Sequence, residues 1–180
     1  MALSLARASS DLYSLVTQLV ASPELAGLGL NVERRGEIIA VLTPEGEIVI
    51  VPCNGLKMKF RWRGLGNIIN RLLELYGELE NKVSNNTASR EETEAYDLLI
   101  RLLRHLLPSG EILITPELRD VLTRLGMLLP HLPNGEKYAP YIVAIGSALS
   151  RYRPIIELVY QTGETYNAPA RGQVPLWALV

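Results

Sequence analysis

Cysteine is almost missing from this chain. Cys53 stands alone among 180 residues, so no internal disulfide forms and no second thiol exists to frame a zinc site. Histidine is nearly as scarce: His105 and His131 are the only two, and neither has a companion at ligand spacing. His105 is expected to be a capping or partly buried side chain, favoured near the negative end of a helix. No apolar run approaches the ~20 residues needed to span a bilayer, the longest weakly polar stretch being Tyr141 to Leu149. Ser9, Ser10 and Asp11 break the amino-terminal pattern where a secretory leader would need a basic region and then an unbroken apolar one. These absences predict a cytoplasmic protein, or one assembled into a particle inside a cell. Three Gln and one Cys fit a thermophilic source, whereas nine Asn and four Lys argue the other way.

Catalytic signatures are missing as well. Arg63-Gly64-Leu65-Gly66-Asn67 joins strand to helix, but a dinucleotide fingerprint would need a third glycine where Ile69 stands, and a phosphate loop would need Gly-Lys-Ser/Thr. These glycines are expected to allow a tight turn with Asn67 as helix cap. Asn85-Asn86-Thr87 matches a glycosylation acceptor, which matters only in a secreted protein. Glu91, Glu92 and Glu94 read as exposed first-turn charges that favour the positive end of a helix. No catalytic residue, cofactor, metal or small-molecule substrate is inferred, and the sequence reads as a non-enzyme.

What is present is a soluble-type composition, 48% apolar and 21% charged, in a length suited to one ordinary domain. The expected class is α+β: a small three-stranded antiparallel meander on a predominantly helical bundle. Leu12, Leu15, Val16, Leu19 and Val20 space a helix over 10–21, capped by Ser9 or Ser10. Residues 36–63 read as the meander, turning at Pro44-Glu45-Gly46 and Asn54-Gly55. Helices follow over 67–83, 90–107, 116–129 and 138–152. Ser89 with Glu92 forms a capping box, and Thr115-Pro116-Glu117 is a cap, a first-position proline and a first-turn acid. Glu111 to Ile114 offers a short strand. The small residues Ala144, Gly146, Ala148 and Ser150 invite close approach by another backbone. Pro154 is expected to kink or end that helix, and residues 155–160 read equally as helix or strand.

Charge is segregated. From Leu56 to Leu73 there are five basic residues and no acidic one, whereas residues 74–97 carry seven acids against Lys82 and Arg90. In Leu56-Lys57-Met58-Lys59-Phe60-Arg61-Trp62-Arg63 a strand puts Lys57, Lys59, Arg61 and Arg63 on one face and Leu56, Met58, Phe60 and Trp62 on the other. That basic face, with Arg71, is the candidate nucleic-acid contact. Charges ~6.6 Å apart repel by only ~0.6 kcal/mol in water, so a solvated edge strand is the plain alternative. The acidic helical hairpin downstream could instead pair with the basic strand, within one chain or between copies.

Residues 162–180 read as a carboxy-terminal arm with an apolar tip. Burying Val174, Leu176, Trp177 and Leu179 would contribute ~6 to 12 kcal/mol, against ~1 to 2 kcal/mol of backbone entropy for each ordered residue. Reach onto a neighbouring subunit is the expected role, and docking on its own chain the alternative. The functional expectation is a self-associating structural subunit, nucleoprotein or capsid-like, that forms a homo-oligomer and contacts nucleic acid. The alternative is an accessory module that binds a different protein through the acidic hairpin or the arm.

Overall fold

A computed structural model describes residues 2–52 and 55–167, with side chains over 11–52 and 55–163. Cys53, Asn54 and the tip of the expected arm, with Val174, Leu176, Trp177 and Leu179, lie outside the described residues. The chain divides into two compact units, Met1–Lys59 with Arg153–Val180, and Phe60–Tyr152. Among the described residues there are six α-helices and six strands.

The three-stranded meander is corrected by the structure. The strands are β1 (Asn31–Arg35), β2 (Ile38–Leu42), β3 (Gly46–Pro52), β4 (Leu56–Trp62), β5 (Leu106–Leu107) and β6 (Glu111–Ile114). They form one six-stranded antiparallel sheet in the order β1-β2-β3-β4-β6-β5. β1 escapes a periodicity reading because Asn31-Val32-Glu33-Arg34-Arg35 has Val32 as its single apolar residue, and its charges suit an edge strand that resists pairing with other chains. β5 is two residues long, too short to show alternation. Gly36 (φ +65°) opens the β1–β2 turn and Gly110 (φ +87°) closes the β5–β6 turn, conformations that glycine adopts without a Cβ penalty.

In the first unit, α1 (Ala2–Val20) begins well before the expected cap. Ala2, Leu3, Leu5, Ala6 and Ala8 are good helix formers with no breaker among them, so Ser9 and Ser10 sit inside the helix. The register places Ile39 opposite Ile50 and Val41 opposite Ile48, and all four are buried. α1 lies on this face: the Arg34 guanidinium stands 5.8 Å from the centre of the Tyr13 ring, and Leu12 and Val16 are buried. On the opposite face Arg35 pairs with Glu33 at 2.8 Å and Glu47 at 3.0 Å. α6 (Arg153–Asn167) packs against α1 and buries Ile155 and Val159. The preceding helix ends at Arg151, as expected ahead of Pro154, and the proline also opens the next one, at a first-turn position where its missing N–H costs no bond. Residues 162–167, expected to be arm, are its last turns.

In the second unit, α2 (Leu65–Ser84), α3 (Arg90–His105), α4 (Pro116–Leu128) and α5 (Gly135–Arg151) pack as a ring, each against its neighbours and α5 against α2. Gly64 stands at the α2 cap without a side-chain bond, so Asn67 is a first-turn residue and not the cap. Ser89 Oγ accepts from Glu92 N at 3.1 Å while Glu92 Oε1 accepts from Ser89 N at 3.0 Å. Thr115 caps α4 by accepting from Leu118 N at 3.3 Å, with Pro116 at the first position. Around Gly146 no described atom lies within 4 Å of where a Cβ would stand, so the close backbone approach expected at the small residues of α5 does not occur there. Phe60 packs on Trp62 and Tyr152, with centroids 6.0 and 5.8 Å apart.

Candidate functional site

The basic segment does form a strand, and its alternation is as expected: Met58 and Phe60 are buried while Lys57 and Arg61 are exposed. Its charge is only partly available. Arg61 Nε donates to Glu111 Oε2 at 3.0 Å across to β6, and Ser109 Oγ donates to the same carboxylate's Oε1 at 2.9 Å. Arg71, one turn into α2, donates to Glu74 at 3.2 Å. That bond, with smaller help from Tyr141, raises the guanidinium's pKa further. Arg63 lies beyond the strand in the turn before α2, exposed. Lys57 is exposed, Lys59 half-buried, and neither makes an ion pair among the described residues.

The acidic segment is likewise largely matched inside the chain. Glu92, expected on the surface, is buried. It receives the Lys82 ammonium at 2.6 Å, and that hydrogen bond outweighs burial to hold its carboxyl below the usual range. Glu94 accepts from Arg124 at 2.7 Å, Glu78 accepts from the Tyr138 hydroxyl at 3.0 Å, and Glu74 holds Arg71. Glu80, Glu91 and Asp97 make no ion pair among the described residues.

What periodicity blurred is that α2 and α3 each carry two apolar stripes. Ile68, Leu72, Leu75 and Leu79 of α2, and Leu98, Leu99 and Leu102 of α3, point into the bundle and are buried. Ile69, Leu73 and Tyr76 lie about 90° round α2 from that core stripe, and Tyr96, Ile100 and Leu103 about 90–120° round α3. Leu73 is 48% exposed and the other five are half-buried. Tyr76 and Tyr96 stack, with centroids 5.5 Å apart and planes at 24°, which puts the two second stripes on one side of the hairpin. The Tyr96 hydroxyl is pushed up to about 12, first by its hydrogen bond with Tyr76, then by burial and by the charges of Tyr76, Glu80 and Asp97. Two further large apolar side chains of this unit stand in solvent, Met127 on α4 at 69% and Val143 on α5 at 61%.

His105 is buried at the end of α3. Its Nδ1 lies 2.8 Å from the Arg101 carbonyl and its Nε2 2.9 Å from Thr115 Oγ1. A carbonyl can only accept, so Nδ1 carries a proton and donates to it, while Nε2 shares a hydrogen bond with the threonine hydroxyl. The ring is a clasp between the last turn of α3 and the cap of α4. The four residues Glu78, Lys82, Glu92 and Asn134 border a cleft of about 20 Å³ beside Leu75, Leu79 and Leu132, room for about one water. Among the described residues no His, Cys, Asp and Glu cluster could hold a metal, and no helix is long and apolar enough to cross a membrane. Compared with known proteins, the chain matches no family model, no curated protein and no solved structure.

Proposed function

We propose that this protein is a non-enzymatic structural subunit that associates with copies of itself through its helical unit. The observation that supports this reading is the set of large apolar side chains held outward by well-packed helices: Leu73, Met127 and Val143, exposed at 48%, 69% and 61%. Each sits on a helix that buries another of its faces in the bundle core, which fixes its outward direction. Single exposed apolar residues are ordinary, but Leu73 belongs to a continuous second stripe, and such strips mark association surfaces. The test is the mass in solution by light scattering across ~1 to 100 μM. A species heavier than the 20.0 kDa chain supports self-association, and a monomer throughout that range refutes it and favours a different protein as partner.

Contact with nucleic acid through β4 is a second, narrower reading. It is favoured by Lys57 and Lys59 standing on a strand anchored by buried Met58, and it is reduced by Glu111 holding Arg61 and Glu74 holding Arg71. Two lysine–phosphate contacts would give a slope of log affinity against log salt of about −2. Lys57→Glu with Lys59→Glu should then abolish retention on single- or double-stranded DNA and on RNA; equal retention by the variant refutes this contact.

A further inference from the structure

Self-association still requires a surface, and the α2–α3 hairpin has one with a symmetry written into its charges. Along α3 the outward stripe runs Tyr96, Ile100, Leu103, spaced four and then three, the spacing of a helix seam that meets another helix. Asp97 and Arg104 flank it on the same side and are both exposed, and neither makes an ion pair among the described residues. They are seven residues apart, two helical turns or about 10.5 Å along the axis. Their midpoint falls at Ile100–Arg101, beside the centre of the apolar stripe. Two copies of α3 laid antiparallel about a two-fold axis through that midpoint bring each Asp97 opposite Arg104 of the second copy. Ile69, Leu73 and Tyr76 of α2 widen the same face.

We propose that a second copy of this chain occupies the α2–α3 outer face, in an isologous dimer with its two-fold axis at Ile100. In such a contact one patch meets itself, so a charge and its complement must both lie on it at equal distances from the axis. Asp97 and Arg104 meet that condition, whereas a partner of uniform charge would be repelled at one end of the stripe. α3 is about 24 Å long, and with α2 packed roughly 10 Å away the face is large enough for a contact at the lower end of stable interfaces, about 1,200 Å² in total. The apolar stripes supply the burial, and the two symmetric ion pairs fix the antiparallel register.

This inference rests on the self-association reading, and the experiment separates the two. Sedimentation velocity is run on the full chain and on Asp97→Arg, Arg104→Asp and the double variant carrying both. Both positions are exposed, so the fold is retained, and circular dichroism verifies it. The wild type is expected to dimerise. Each single swap sets like charges opposite each other twice and weakens the dimer at least about tenfold, whereas the double swap restores opposite pairs and returns affinity to within a few-fold of wild type. A wild-type monomer overturns both readings. An oligomer that both single variants leave unchanged overturns only the interface, and so does a double variant no tighter than the singles.

Discussion

The same substitution should have opposite signs at three glycines of the helical unit. A Cβ added at Gly135 would stand 1.6 Å from the Leu129 carbonyl oxygen, 2.5 Å from its carbon and 3.1 Å from its Cα. No rotamer relieves this, because Cβ has none and its neighbours are backbone. That carbonyl also accepts from Leu132 N at 3.1 Å, and Gly135 N donates to Leu132 O at 3.1 Å. Opening the gap to a normal contact therefore shifts the whole turn by ~1.5 to 2 Å and drags Leu129 and Leu132, both buried, away from their packing. Overpacking commonly costs 1 to 3 kcal/mol; with two buried leucines displaced, Gly135→Ala should cost roughly 3 to 5 kcal/mol. That is a large fraction of a typical folding free energy of 5 to 15 kcal/mol. At Gly77 in α2 and Gly146 in α5 no described atom lies within 4 Å of the added carbon. There alanine only removes the entropic penalty of glycine in a helix, so each change should stabilise by about 0.8 to 1.0 kcal/mol, raising Tm by ~2 to 4 °C. Urea unfolding followed by helical dichroism measures all three. Gly135→Ala within 1 kcal/mol of wild type would refute the close approach, and destabilisation at Gly77 or Gly146 would refute the open space around them.

Three further outcomes follow from the buried polar contacts of the same unit. Lys82→Met leaves Glu92 buried with only its capping bonds, and should cost about 2 kcal/mol at pH 7. That is less than for a fully buried pair, because the Lys82 side chain is 39% exposed. Since the folded carboxyl titrates below its unfolded value of 4.5, this stabilisation is present above pH 4.5 and fades as pH falls through the folded value. Urea midpoints of wild type and variant should therefore draw together as pH falls below 4.5, and a constant gap would contradict the pairing. Burial first, and then the bond to Glu78, push the Tyr138 hydroxyl up to about 12. The unfolded phenol ionises near 10, so stability should be intact below pH 10 and fall by roughly 3 kcal/mol between 10 and 12. Tyr138→Phe should flatten that slope, and an unchanged alkaline limb would refute it. A double-mutant cycle of His105→Ala and Thr115→Ala should give a coupling energy of about 1 kcal/mol; strictly additive losses would mean the clasp contributes nothing.

Local chemistry was legible in the sequence and long-range pairing was not. The capping box at Ser89 and Glu92 and the Thr115-Pro116 start are decided within four residues, and both appear as expected. The alternation of β4 was equally local. The six-stranded sheet was not, because β1 offers one apolar residue and β5–β6 joins β4 only through contacts about fifty residues apart, such as Arg61 with Glu111. The Arg61–Glu111 ion pair is equally invisible in the alternation of the basic run, because no spacing rule tells a cation which distant carboxylate will face it. Pro154 was half legible: the helix before it ends at Arg151 as expected, but a proline that stops one helix can also open the next, and α6 begins at Arg153.

The charge segregation of the sequence therefore divides into two kinds of residue once the fold is in place. Glu74, Glu78, Glu92 and Glu94 sit beside Arg71, Tyr138, Lys82 and Arg124. Glu78, Glu92 and Glu94 bridge α2 and α3 to each other and to their neighbours, Glu74 pairs within α2, and the net acidity of the segment says little about a partner. Asp97 and Arg104 differ: flanking the outward stripe of α3 they have opposite sign, and no ion pair among the described residues satisfies either. Arg104, in the last turn of α3, also suits the negative end of the helix, so its sign alone does not identify a contact. Interchanging both charges preserves the pairing in an isologous contact, while changing one alone does not, and this asymmetry distinguishes a symmetric interface from a decorated surface.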